Sequence, residues 1–230
     1  MRFSIVIPTW EQHGYGTVFF KQLLTSINSQ SYKDFEVVVT DQSENDDIKK
    51  VCSDFKNLNI VYLKNNEKRG NSPANLNNGL KNAKGEIIKI MFQDDFFIDS
   101  ESLKIIDEKF KENLSGWLVN GCCHTRDGQN FFRYMKPSWN DKIIEGNNTI
   151  SSPSVLSFLN QNINYFDENL TMMMDCDYYY TLYKRYGLPC FLENYLIANR
   201  IHNFQISRMY NKNLEEEINI IKNKNYEFRK

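Results

Sequence analysis

Four short apolar runs in the first 92 residues alternate with helical stretches, and this alternation restricts the fold more than any other feature. The runs are FSIVIP (3–8), FEVVVT (35–40), NIVYLK (59–64) and EIIKIMF (86–92). Between them, 17–30 has Val18, Leu23, Leu24 and Ile27 at helical spacing, and 46–55 and 72–83 also read as helices. Pro73 suits a first helical turn. Strands that are apolar throughout are covered on both faces, so the pattern βαβαβαβ predicts a parallel sheet of the nucleotide-binding α/β type. Ligands of such sheets bind beyond the carboxyl ends of the strands. The positions to watch are therefore Thr9 to Glu11, Asp41 to Ser43, Asn65 to Gly70 and Gln93 to Asp95.

The fourth run ends in IKIMFQDDFF (88–97), where Asp94 and Asp95 interrupt an apolar stretch that resumes at Phe96. Two adjacent like charges repel and lose solvation if buried. One reading is a turn, which aspartate favours. The other is a divalent cation site, because hard cations take carboxylate oxygens and offset the repulsion.

The second half is less regular. Residues 100–113 read as a helix with Ser100 as N-cap. WLVNGCCHT and NFFRYM read as strands joined by a turn at Asp127-Gly128, and 175–187 as a helix ending at Gly187 with Lys184 and Arg185 in its last turn. A polar helix from Asn211 is expected on the outside. At 230 residues the chain is long enough for one domain. It divides into a regular half, residues 1–98, and a less regular half, residues 99–230, of the same single domain.

A net charge of −1 gives no general attraction to nucleic acid or anionic membrane. The five cysteines form no CxxC pair, so neither a zinc site nor a disulfide framework is indicated. No apolar stretch reaches the roughly 18 residues of a membrane span. The expected location is cytoplasmic, including a peripheral position at the inner face of a membrane.

Several segments, in order, resemble glycosyltransferase family 2, whose fold is GT-A. FSIVIPTW is similar to the family's opening strand and turn, and DFEVVVTDQSENDD to its second strand. NLNNGLKNAKGEIIKIMFQDD resembles the segment that leads to the metal-binding DxD motif. NNTISSPSVLSF resembles the loop before an acceptor-side strand. YFDENLTMMMDCDYYYTLYKRYG resembles the segment that carries the catalytic base, and NRIHNFQIS a late RxHxxxxS. There are departures: Phe92 and Gln93 precede the acid pair, Gln42 replaces a second acid, Leu76 an arginine and Met174 a glutamate.

The resemblance implies an inverting glycosyltransferase that moves a sugar from a nucleoside-diphosphate sugar, most simply a UDP-sugar, to a hydroxyl of a glycan or glycoconjugate in polysaccharide biosynthesis. It implies a divalent metal, Mn2+ or Mg2+, with Asp95 as direct ligand and His202 as a second. Pro8, Thr9, Glu11, Asp41, Gln42, Arg69, Gln93 and Asp94 would line the nucleotide site, and Asp175 would be the general base. Asp177, Trp139 and Arg200 would contact acceptor or diphosphate, as would Lys68.

Each role has a structural counterpart. Asp41 can cap the helix near Asp46, Asp175 can serve the helix dipole, and Asp177 lies about 200° around the helix from Asp175. His202 can be structural, Arg69 and Arg200 ordinary solvated charge, and Trp10, Trp117 and Trp139 core. Two rival functions remain. A sugar-phosphate nucleotidyltransferase would need a basic Gly-rich loop after the first strand, and TWEQHGYGT has no Lys or Arg. A non-catalytic nucleotide-sugar-binding module would be compatible with Gln42, Met174 and Leu76.

Overall fold

The structure, a computed structural model, describes residues 1–112, 115–205 and 214–224. Its first half follows the apolar alternation. Strands β1 (Phe3–Thr9), β2 (Phe35–Asp41), β3 (Ile60–Lys64) and β4 (Ile87–Ile90) are linked by helices α1 (Gly16–Asn28), α2 (Asp47–Asp54) and α3 (Ser72–Asn82). β1 pairs in parallel with both β2 and β4, and β2 with β3. Every residue of β1, β2 and β4 is buried, as doubly covered strands require. α3 begins on an Asn71 side chain that accepts from Ala74 N at 2.8 Å, with Pro73 in its first turn. Gly79 lets this helix lie against the sheet. A Cβ there would come within 2.6 Å of Val6 Cγ1.

Beyond β4 the sheet turns mixed. β5 (Phe96–Phe97), β6 (Trp117–Thr125), β7 (Phe131–Met135), β8 (Leu156–Leu159) and β9 (Cys190–Arg200) join α4 (Ser102–Glu112), α5 (Met174–Tyr186) and α6 (Leu214–Lys222). Among the described residues nine strands form one sheet, in the order β3-β2-β1-β4-β8-β6-β9-β5, with β7 paired to β6 off that path. β8 runs antiparallel to β4 and β6, and β9 parallel to β6 through two register shifts. The sheet is continuous across residue 98, because β5 hydrogen-bonds to β9. This is the α/β GT-A architecture anticipated from the sequence.

Some local expectations shift. α4 starts at Ser102, and its lead-in is held by Asp99 Oδ1, which accepts from Glu101 N at 2.8 Å; Ser100 does not cap it. Residues 211–213 of the expected tail helix lie outside the described residues. α6 is not merely superficial, since Glu217 and Ile221 are buried. No helix among the described residues is long and apolar enough to cross a membrane.

Candidate active site

At the carboxyl ends of β1, β2 and β4 lies a cleft of about 620 Å³. Its floor comes from the turn after β1. Gln12, His13 and Gly14 all have positive φ, at 46°, 53° and 90°. Two consecutive non-glycine residues in the left-handed region are uncommon and strained. Gln93, after β4, holds the turn in place. Its Oε1 accepts from Trp10 N at 2.8 Å, and its Nε2 donates to Trp10 O at 3.1 Å and to Gln12 Oε1 at 2.7 Å. Pro8, Thr9, Trp10 and Glu11 thereby line the cleft, and Glu11 Oε2 is buried without a hydrogen-bond partner among the described residues.

The second strand presents Gln42 and withholds Asp41. Asp41 is fully buried and outside the cleft lining. Its Oδ1 accepts from Thr9 Oγ1, Ser43 N and Ser43 Oγ at 3.2, 2.9 and 2.6 Å. Its Oδ2 accepts from Tyr62 Oη at 2.7 Å, with Lys64 Nζ at 3.6 Å. The carboxylate ties the ends of β1, β2 and β3 together; it does not cap α2. Gln42 does line the cleft, and its Nε2 donates to Glu67 O and Lys68 O at 2.9 and 3.0 Å. Arg69 lies on the same rim beside Glu44. Lys68 pairs instead with Glu168.

The acid pair separates into two environments. Asp94 lines the cleft, with Oδ2 2.9 Å from His202 Nε2. Phe204 N donates to His202 Nδ1 at 3.2 Å, which leaves the ring proton on Nε2 to be donated to Asp94. Asp95 turns inward. It accepts from Arg200 N at 3.0 Å, Ser152 Oγ at 3.2 Å and Asn199 Nδ2 at 3.3 Å. Burial, with the charge of Asp94 beside it, pushes its carboxyl well up. Behind it, fully buried Lys89 donates to Asn120 and Ser154 O, and burial pushes its amine down.

Asp95, the expected direct metal ligand, is therefore buried behind the cleft wall, and it is Asp94 that lines the cleft. Among the described residues no three His, Cys, Asp or Glu side chains converge to enclose a metal. The Asp94–His202 pair nevertheless fits one. Its chemistry suits a hard cation: a carboxylate oxygen and an imidazole nitrogen lie together beside the cleft, the ring serving as a ligand only in the tautomer that frees Nε2 of its proton. Arg200 also departs from expectation. Its guanidinium is buried against Phe19, with Nε donating to Asp94 O at 3.1 Å and a terminal nitrogen to Gln22, so it braces the acid pair and is turned from the cleft.

Across the cleft, half-buried Asp175 lies in the first turn of α5. Oδ1 accepts from Cys176 N and Oδ2 from Asn148 Nδ2, both at 2.8 Å. Desolvation outweighs these bonds and pushes its carboxyl up to about 6. Asp177 is buried and pairs with Lys224 Nζ at 2.8 Å. It does not line the cleft, and the ion pair gives it a fastening role. Trp139 also lies away from the cleft, stacked on Tyr183 at 4.3 Å and edge-on to Trp117. Asn148, Gln12, Asn75 and Phe204 were not foreseen. Asn148 is 27 positions from Asp175, and no periodicity connects them.

Comparison with known proteins gives the same picture. A family model described as Glycosyl transferase family 2 matches residues 4–174. A relative from Campylobacter jejuni, GalNAc(5)-diNAcBac-PP-undecaprenol beta-1,3-glucosyltransferase, is 26% identical over 157 residues, 67% of this chain and 47% of its own length. The match covers about half, or less, of the length of this relative and several others, and 68% of two Rickettsia relatives. Among solved structures, S. aureus TarS 1-349 in complex with UDP-GlcNAc matches with TM-score 0.72, 20% identity, and coverage of 96% of this chain and 65% of that one. The mannosyltransferase PcManGT from Pyrobaculum calidifontis, in complex with GDP-Man and Mn2+, matches with TM-score 0.66 and 18% identity over 87% of this chain and 57% of that one.

Proposed function

Because the chain belongs to glycosyl transferase family 2, we propose that its cleft transfers a sugar, with inversion, from a nucleoside-diphosphate sugar to a hydroxyl of a glycan or glycoconjugate. The observation that carries this reading is a desolvated carboxyl, Asp175, facing the same cleft as Asp94. A base whose proton affinity is raised toward neutrality takes a hydroxyl proton more effectively than an ordinary carboxylate. Asp175 is the acceptor of that proton as the oxygen attacks the anomeric carbon, and Asn148 and Cys176 N hold its carboxylate in place.

Residues 1–98 hold the donor, and the acceptor is held between residues 99 and 230. At the nucleotide end, Gln42 has both amide hydrogens committed to Glu67 O and Lys68 O, so its Oε1 is the atom left for a ligand. A carbonyl oxygen accepts the imide N–H of uracil, which supports a UDP-sugar. Glu11 Oε2, without a partner among the described residues, suits a ribose or sugar hydroxyl. Asp94 and His202 would hold a divalent cation, Mn2+ or Mg2+, with the donor's oxygens completing its shell. Such a cation neutralises charge on the departing diphosphate. For its part the chain orients Asp94 through the backbone carbonyl held by Arg200 and, without a cation, through the Nε2–H of His202, a proton the ring must move off Nε2 to serve as a ligand.

A panel of nucleotide sugars, screened by thermal shift with Mn2+, Mg2+ or EDTA and then by release of free nucleoside diphosphate, tests the reading. Metal-dependent stabilisation by one donor, followed by slow release that Asp175→Asn suppresses, is expected. Binding without release under any metal would leave a nucleotide-sugar-binding module instead.

A further inference from the structure

The loop that faces α5 is built around Asn148. Its Oδ1 accepts from Ile150 N at 2.9 Å and Ser151 N at 3.0 Å, closing a turn in which Ser151 has φ 106°. Its Nδ2 donates to Ser151 O at 3.1 Å and to Asp175 Oδ2 at 2.8 Å. Tyr179 Oη, one turn along α5, donates to Ser151 O at 3.0 Å. The next residue, Ser152, donates to Asp95 Oδ2 at 3.2 Å. One carboxamide thus uses its oxygen to shape the loop and its nitrogen to hold Asp175, and the loop is fixed at its far end behind Asp94.

We infer that Asn148 is the positioning residue of the proposed base: its amide hydrogen orients the Asp175 carboxylate toward the cleft. The inference rests on the assignment of Asp175 given above. Oδ1 is bound by Cys176 N and Oδ2 by Asn148, so only the remaining lone pairs are open to an acceptor hydroxyl. A hydrogen bond donated to the charged form favours that form. Among the described residues no positively charged group hydrogen-bonds or ion-pairs with Asp175. Other titratable groups nearby are Glu11, His13, Glu44, Arg69 and Asp94 on the cleft walls, Cys176 and Tyr179 on its own helix, and Glu145 on the turn packed against α5. Among these groups the guanidinium of Arg69 faces Glu44 and Asn66.

Asn148→Asp separates the two uses of the carboxamide. It keeps an oxygen for Ile150 N and Ser151 N and removes the donor to Asp175. Asn148→Ala removes both. The readout is the pH titration of the Asp175 carboxyl carbon by 13C NMR, assigned through its absence in Asp175→Asn, together with the pH profile of transfer and the melting temperature. In Asn148→Asp two carboxyls share the site, and a step about one pH unit or more above the wild-type midpoint is expected. The acid limb of transfer moves with it, donor KM stays unchanged, and the melting temperature remains within a few degrees of wild type. In Asn148→Ala the Asp175 midpoint rises as well, with a lower melting temperature. An Asp175 midpoint unmoved in both variants overturns the inference, whatever happens to activity. A moved midpoint combined with full transfer by Asp175→Asn would instead overturn the assignment of the base and leave the positioning intact.

Discussion

After β4, Asp94 and Asp95 are neighbours in the chain; at the start of α5, Asp175 and Asp177 are two residues apart. In each pair one carboxyl opens to the cleft and the other is locked into the protein. The means differ. In the turn after β4, successive side chains leave on opposite sides, so Asp94 meets His202 while Asp95 meets Arg200 N, Asn199 and Ser152. On the helix a step of two is about 200°, so Asp175 faces Asn148 and Asp177 faces Lys224. The inner member in the turn is held by uncharged donors, and the inner member on the helix by an ammonium. The lesson is that acids close in sequence divide between chemistry and fastening by backbone geometry.

Four substitutions probe that division. The largest effect is expected at the open helical acid: Asp175→Asn should retain donor binding and lose transfer by on the order of 10²–10⁴-fold. Asp177→Asn should transfer at close to the wild-type rate; reversed outcomes would exchange the roles of the two. Next, Asp94→Ala should weaken metal-dependent donor binding at least about tenfold, a direct ligand being worth no less than the outer-shell partners that cost 10–100-fold. Isothermal titration with and without Mn2+ measures it, and equal affinities would remove Asp94 from the cation site. Asp95→Ala should leave the metal requirement in place and cost about 1–3 kcal/mol of stability, the penalty for orphaned buried donors. A stable Asp95→Ala protein that no longer responds to metal would return Asp95 to the cation site.

The smallest effect concerns pH. The Asp175 carboxyl, raised to about 6 from an ordinary value of about 4, binds its proton more tightly in the folded than in the unfolded state. Its contribution to stability is therefore fully present below about pH 4 and is lost as pH rises through about 6. Above that, the half-buried charge is a liability that asparagine removes. Asp175→Asn should be more stable than wild type at pH 8 by about 1 kcal/mol after allowance for solvent screening, and equally stable at pH 4. Chemical denaturation at the two pH values checks the sign.

Legibility follows the same geography. The parallel half was readable because strands buried on both faces are mainly apolar, and the runs ending at Thr9, Asp41 and Ile90 are, with Ser4, Glu36 and Lys89 as the polar exceptions inside them. The strand-end rule then pointed to Thr9, Glu11, Gln42 and Gln93, all of which line the cleft. What the pattern could not show was direction within a turn. Asp41 and Asp95 have the right residue type at the right strand ends, yet both face inward, because hydroxyl and backbone donors wait there. Arg200 and Trp139 misled for a related reason: a guanidinium or an indole suited to a ligand is equally suited to Phe19 or Tyr183. Asn148 left no trace, since a loop that meets a helix 27 residues later has neither period nor motif.

The carboxylate of Glu217 gives the chain an order of assembly. Its Oε2 accepts from Met172 N at 2.9 Å and Met173 N at 2.8 Å, at the N-terminal end of α5, and Lys224 joins Asp167 to Asp177 on the same side. Domains fold as they leave the ribosome, N-terminal part first. The parallel strands and the β1 turn are made before α5, whereas the residue that receives the amides at its start comes more than forty positions later, and Arg200 and His202, which hold Asp94, also follow it. On a translating ribosome the parallel strands therefore precede both the finished setting of Asp94 and the finished start of the helix that carries Asp175.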